Sequence, residues 1–420
     1  MKSEICFLDL FAGAGGLSEG FIREDYLPIA HIESDSAACF TLKTRMAFHY
    51  LKKNKKEDIY IDYITGKMSR SEFYSKIPEN ILESIINKEI SEINLDSIFF
   101  KIDSLLSGKK LDIIIGGPPC QAYSVIGRSR DKHRMKNDKR NYLYIFYAEF
   151  LKKYQPEYFV FENVTGLLSA KDKNKNLFFD NMIKTFSDAG YKTEYKIISA
   201  EEYGIPQKRK RVILIGKKGK EENFYPLIEK ENFSETVGDI LSDLPSLKAG
   251  EGNVYFCKAI KYSGKWLYEK GIKNDSVPIT WHIARNNNEQ DLEIYRIAVA
   301  LWNKSSKRLD YNSLPEKLKT HKQRKAFTDR FKVVASNLNY SHTVVAHIAK
   351  DGHYYIHPDI DQNRSLTPRE AARIQTFPDD YYFESASGNP AKAPAFRQIG
   401  NAVPVVLAQK IAKKIKEVFI

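Results

Sequence analysis

CFLDLFAGAGGLSEGFI, residues 6–22, passes from an apolar run through a glycine cluster into an amphipathic stretch. Cys6 to Phe11 predicts a short buried strand, Gly13, Gly15 and Gly16 a tight turn, and Leu17 to Ile22 the opening of a helix. Glycines let backbone approach a ligand closely, and the free amides at a helix start favour polar or anionic groups. Tyr26 to Ile32 predicts the next strand, and Glu33 follows it, 20 residues after Gly13. A carboxylate at that spacing suits a ribose diol. A dinucleotide fingerprint would need glycine at position 18, where this chain has Ser18, so hydride chemistry is disfavoured. Taken alone, the turn fits either nucleotide-like binding or a bend that needs glycine for backbone reasons only.

Further short strands are predicted at Leu111 to Ile115, Tyr158 to Phe161 and Val212 to Ile215, each beside polar or Gly/Pro-rich sequence. That rhythm predicts an α/β fold with a parallel sheet, whose ligands sit at the carboxyl ends of the strands. Three strand borders carry candidate chemistry. Gly116-Gly117-Pro118-Pro119-Cys120-Gln121-Ala122-Tyr123-Ser124 puts a cysteine on a stiff, accessible loop. A free cysteine is more often a small buried hydrophobe, but this placement favours a nucleophile. With a reference pKa of about 8.5 it needs nearby positive charge or concerted protonation of its substrate. Glu162-Asn163-Val164 sets a carboxyl at a second strand end. In Gln207-Lys208-Arg209-Lys210-Arg211, period-two spacing predicts Gln207, Arg209 and Arg211 on one face. Singly, the carboxylate reads as a surface group and the basic run as a solvated face; together around one sheet edge they read as a site.

The Lys/Glu/Ile-rich stretch 42–99 reads as a helical insertion without chemistry of its own. The chain divides into 1–234, a segment 235–343 where basic residues interleave with aromatics (KYSGKWLYEK, THKQRKAFTDRFK), and a return at 344–420 that ends in a helix. The 420 residues carry 66 Lys+Arg against 53 Asp+Glu, a formal charge of +13, which favours a polyanionic partner. No apolar run approaches the roughly 18 residues of a spanning helix, and the start lacks a signal-peptide pattern, so a cytoplasmic protein is expected. Cys6, Cys39, Cys120 and Cys257 form no CxxC pair, which predicts neither a metal knuckle nor a disulfide framework.

The blocks FLDLFAGAGG, GGPPCQAYS, FENV, QKRKR, LTPREAARIQTFP and RQIGNAVP, in this order, resemble the DNA (cytosine-5) methyltransferase family of bacterial restriction–modification systems. The resemblance implies a Rossmann-like S-adenosylmethionine-dependent domain with a smaller target-recognition domain, here 235–343. It implies that Phe11, Gly13, Gly15, Gly16, Glu33, Asp103, Pro118, Leu143 and Asn401 meet S-adenosyl-L-methionine, which leaves as S-adenosyl-L-homocysteine. No metal is implied. Cys120 is the implied nucleophile toward carbon 6 of a flipped-out cytosine, Glu162 the group at ring nitrogen 3, and Arg209 and Arg211 its catalytic companions. Gln121, Ser124, Arg128 and Gln207 are implied to face double-stranded DNA, Arg128 belonging to the basic loop up to Arg140. Arg324 and Arg330 are candidates for reading bases. A monomer is expected, with room for a restriction endonuclease acting separately.

Two relatives of the same fold compete with this reading. An RNA cytosine-5 methyltransferase would carry a Cys-Phe-Thr tripeptide before its late blocks, whereas here Cys39-Phe40-Thr41 stands near the start. A non-catalytic DNA-binding relative would not need Cys120, Glu162 and Arg211 intact.

Overall fold

The computed structural model describes residues 4–119, 142–172, 174–322 and 324–419. Its central sheet has seven strands: β1 (Cys6–Leu10), β2 (Leu27–Glu33), β3 (Ile85–Asn87), β4 (Ile113–Gly116), β5 (Tyr158–Val164), β6 (Tyr191–Ser199) and β8 (Lys210–Lys218). The two-residue β7 (Gln207–Lys208) pairs elsewhere, with Ser341–His342. The order across the sheet is β3-β2-β1-β4-β5-β8-β6.

Alternate residues of each strand serve opposite faces, as the pleat requires. Phe7, Ile113, Ile115, Val160, Ile213 and Ile215 join one core, shared with the C-terminal helix Val405–Val418. Leu8, Leu10, Ile114, Phe159, Phe161, Val212 and Leu214 join the other, under helices Leu143–Tyr154 and Phe178–Asp188. Burial on both faces explains why these strands read as continuous apolar runs rather than as alternating ones.

The expected parallel sheet is mixed at one strand. β8 runs antiparallel to both β5 and β6. The link from Ser199 to Lys210 is too short for the crossover of roughly a dozen residues that a parallel neighbour needs. This reversal has a functional result: the beginning of β8, not its end, lies beside the end of β5, with Arg211 opposite Val164.

The expected insertion at 42–99 is also narrower than its composition suggested. Helix Ser36–Lys53 crosses its start, β3 is a strand of the main sheet, and helix Leu95–Leu106 packs on the sheet. The part between, about 54–84, forms three short helices whose Tyr60, Tyr63, Phe73 and Ile77 join the large core. A three-residue strand flanked by polar sequence has too few apolar positions to show a period.

The segment 235–343 divides as well. Val237, Leu244, Trp266, Ile279 and Trp281 belong to the large core. A separate core gathers Ile294, Tyr295, Val299, Leu309, Leu314, Phe331 and Ile356 around helix Glu289–Ser305. This separate core lies mostly within 235–343 and takes in Ile356. Helix Pro368–Ile374, from the LTPREAARI block, is buried at every residue and opened by a Thr367/Glu370 capping box. Its arginines are structural: Arg373 pairs with Asp243 and Asp379, and Arg369 donates to Thr280 O and Tyr381 O, while Arg364 just ahead of the helix pairs with Glu370 at 2.7 Å. Among the described residues no helix is long and apolar enough to cross a membrane.

Candidate active site

A cavity of about 410 Å³ opens where β1, β2, β4 and β5 end. Its floor is the glycine turn. Gly15 is the N-cap of helix Gly16–Ile22 at φ 80°, a left-handed conformation open to glycine, and a Cβ there would stand 2.8 Å from Leu42. Gly13 donates its amide to Glu33 Oε2 at 2.8 Å, and the amides of Ser34 and Asp35 reach Glu33 Oε1 at 2.8 Å each. Three amides thus aim one carboxylate along the cavity wall, and Phe11, at φ 57°, lines it beside Gly13. A bulky residue with positive φ carries strain that the surrounding structure must hold in place.

Opposite the turn, Gly116, Gly117, Pro118 and Pro119 carry the chain past the end of β5. Asn163 Nδ2 donates to Pro118 O at 3.2 Å, and a Cβ on Gly117 would stand 2.1 Å from Glu162 O, so this loop lies flat against β5. Glu162 and Arg211 share the cavity wall, with Arg211 Nε 2.7 Å from Glu162 Oε1 and both side chains mostly shielded from water. Leu143, Gln398, Asn401, Ala402 and Val403 also line it. Cys120, Gln121, Ser124 and Arg128 lie outside the described residues.

Residues 69–417 match the family described as C-5 cytosine-specific DNA methylase. The chain belongs to that family. It is 39% identical to a type II methyltransferase of Bacillus paralicheniformis, covering 98% of each chain, and 31% identical to one of Desulfomicrobium norvegicum, covering 98% of this chain and 88% of the relative. A prophage-encoded DNA modification methyltransferase structure from E. coli superposes with a TM-score of 0.61 over 99% of both chains at 23% identity. An Entamoeba histolytica methyltransferase gives 0.55 at 15% identity over the full length of both. At those identities the two structures speak to the fold alone. As a C-5 cytosine-specific DNA methylase, the protein is a DNA (cytosine-5) methyltransferase that takes its methyl group from S-adenosylmethionine.

The cavity fits that donor, since its size is ordinary for small-molecule sites and it holds a buried acid with no fully formed hydrogen bond. Asp9 lines it, almost fully buried, and neither carboxylate oxygen meets a protein donor in full hydrogen-bond geometry, although the Ser18 hydroxyl lies close enough to act on it. Burial pushes its carboxyl well above the usual range, Glu33 adding to the shift and Ser18 opposing it. Sequence reasoning did not single out Asp9; an acid inside a buried strand was the signal it passed over.

Of the residues expected in this methylase's site, several stand elsewhere. Asp103 is on the outer side of helix Leu95–Leu106, paired with Lys153 at 2.9 Å and Tyr154 at 3.0 Å, and is not among the lining residues. Lys88, Glu89 and Ile90, directly after β3, occupy the wall instead. Gln207 is fully buried and bonds Gln375, Ile374 O and the Val344 amide, so it has no surface to offer DNA. Arg209 is equally buried, donating to Val344 O and Gly400 O. Both brace the return segment, because β7 pairs with Ser341–His342 outside the main sheet, and of the three only Arg211 lines the cavity. Arg330 pairs with Asp351 beneath the rings of Phe327 and Tyr354, and Arg324 is exposed with Glu316 at 3.1 Å. Among the described residues no cluster of three or more His, Cys, Asp or Glu side chains could hold a metal.

Proposed function

We propose that this enzyme methylates carbon 5 of a cytosine flipped out of a short specific sequence in double-stranded DNA, with Cys120 as covalent nucleophile. The Glu162–Arg211 pair on the wall of a cavity that also carries the glycine turn is the observation that supports this reading best. Carbon 5 of cytosine is too weak a nucleophile to accept a methyl group unaided. Addition of the Cys120 sulfur to carbon 6 forms a carbon–sulfur bond and moves the 5,6 electron pair onto carbon 5. Glu162, beside ring nitrogen 3, takes up the charge that develops there by donating or sharing a proton. Arg211 fixes the Glu162 carboxyl and adds positive charge that favours a thiolate. When bound, S-adenosylmethionine supplies an electrophilic methyl group. Loss of the carbon 5 proton then returns its electron pair to the ring and expels the Cys120 sulfur.

Glu33 is proposed to hold the donor's ribose and Phe11 to offer it a ring face, with Asn401 closing the far side. Attack from above the ring is impossible inside a duplex, so the base must leave the stack at a cost of a few kcal/mol. The segment 235–343, with its separate core around helix Glu289–Ser305, is the proposed target-recognition domain. The proposed setting is a cytoplasmic monomer serving a restriction–modification system whose endonuclease is a separate protein.

Bisulfite sequencing of genomic DNA from a methylation-free bacterial host tests the reading. The wild type should leave 5-methylcytosine at one short motif, and Cys120→Ser should leave none. Methylation by the serine variant at the wild-type level would exclude the covalent route.

A further inference from the structure

Residues 54–84 take no part in the chemistry above, yet their side chains converge on one acid behind the cavity. Glu384 is buried between this segment and helix Ser36–Lys53. Tyr63 donates to its Oε1, Thr44 does so at 2.8 Å, and Arg70 lies 3.7 Å from Oε2. Arg70 also donates to Ser385 O at 2.7 Å and Ala386 O at 3.1 Å, with its guanidinium 3.6 Å above the Phe40 ring. Tyr60 adds a bond to Asp380 O at 2.6 Å.

From Glu384 the network runs inward. Its amide donates to Thr41 Oγ1 at 2.8 Å, its carbonyl accepts from Gln398 Nε2 at 2.9 Å, and Thr41 Oγ1 bonds Gln398 Oε1 at 2.6 Å. Gln398 lines the cavity together with Arg397 and Asn401, all on helix Lys392–Asn401. Thr41 belongs to the helix that starts at Ser36, whose first turn supplies Ala38 to the opposite wall. Glu384 therefore ties together two walls contributed by residues more than 350 positions apart.

We propose that segment 54–84 is a brace for the donor cavity, with Tyr63 and Arg70 as positioning residues that set the spacing of helices Ser36–Lys53 and Lys392–Asn401 through Glu384. The inference rests on the assignment of this cavity to S-adenosylmethionine. Neither side chain touches the cavity, so the brace acts on donor affinity and not on the chemical step. An interaction lost from binding alone raises KM and leaves kcat unchanged.

The test compares wild type, Tyr63→Phe and Arg70→Ala by calorimetric titration with S-adenosylmethionine, by steady-state methyl transfer to DNA and by thermal melting. Both variants are expected to bind S-adenosylmethionine about three- to tenfold more weakly, the scale of one lost hydrogen bond. Their KM for the donor should rise in step, with kcat at saturating donor and KM for DNA unchanged. Arg70→Lys, which keeps one donor for Ser385 O, should fall between. Variants that melt earlier but bind the donor like wild type would reduce the segment to a stabilising decoration and overturn the proposal. A wild type that binds no S-adenosylmethionine would instead remove the assignment on which it rests.

Discussion

Arg211 reaches Glu162 from a strand that runs against the one carrying Glu162. A parallel β8 would have left Arg211 at the far end of the sheet. The pair is thus a product of topology, and removing either member should damage chemistry far more than folding. Arg211→Ala and Glu162→Gln are each expected to lower kcat by roughly 10²- to 10⁴-fold, the range for a lost proton-transfer or charge-stabilising group. Donor binding by titration should stay near wild type, and a loss of binding equal to the loss of rate would contradict the assignment.

Gly117 offers a steric test of the same region. Its Cβ position lies 2.1 Å from the backbone oxygen of Glu162, which cannot swing aside as a side chain can. Gly117→Ala should cost about 1–3 kcal/mol in urea unfolding, as overpacking does, and should abolish measurable methylation by displacing the proline loop before Cys120.

Asp9 gives a pH signature. Its carboxyl titrates well above the ordinary range when folded, chiefly because it is buried. Between the unfolded value of about 3.9 and the folded one, the native state binds more protons, so this residue lowers stability as pH rises through that window. Asp9→Asn should therefore stabilise the donor-free protein at neutral pH, with the gain vanishing below about pH 4. Denaturation curves at several pH values would reveal it, and a gain that persists in acid would refute it.

Asp243 should behave in the opposite sense. Burial alone would raise its pKa, but Arg373 and Lys273 outweigh burial and hold it below the usual value. Its contribution is fully present above the unfolded pKa of about 3.9 and is lost as pH falls through the folded value. Asp243→Ala leaves Arg373 buried with one partner fewer and should cost about 3–5 kcal/mol at neutral pH. Calorimetric melting would measure it, and a loss under about 1 kcal/mol would mean that Asp379 suffices.

The glycine turn, Glu162 and Arg211 were legible because each sits within a short contiguous block beside a buried strand, where spacing along the chain equals spacing in space. Asp103 was misplaced for the converse reason. β3 is three residues long and runs into Lys88-Glu89, so nothing in its pattern separates it from the helices on either side, and the strand-end position was sought too late in the chain. The period-two rule failed for Gln207 and Arg209 because it presumes one uninterrupted strand. Their partners, Val344, Gln375 and Gly400, lie more than 130 residues downstream, and no local pattern could have named them. The brace at Glu384 was invisible on the same ground: its members span Thr41 to Gln398.

The cavity wall at Gln398 to Val403 is the last part of the site to be synthesised, while the turn it covers is among the first. A ribosome making this chain exposes the glycine turn long before the far wall exists. Products truncated between Arg211 and Gln398 would carry the acid and the arginine yet lack one side of the proposed donor cavity, so such chains are expected to be silent on DNA.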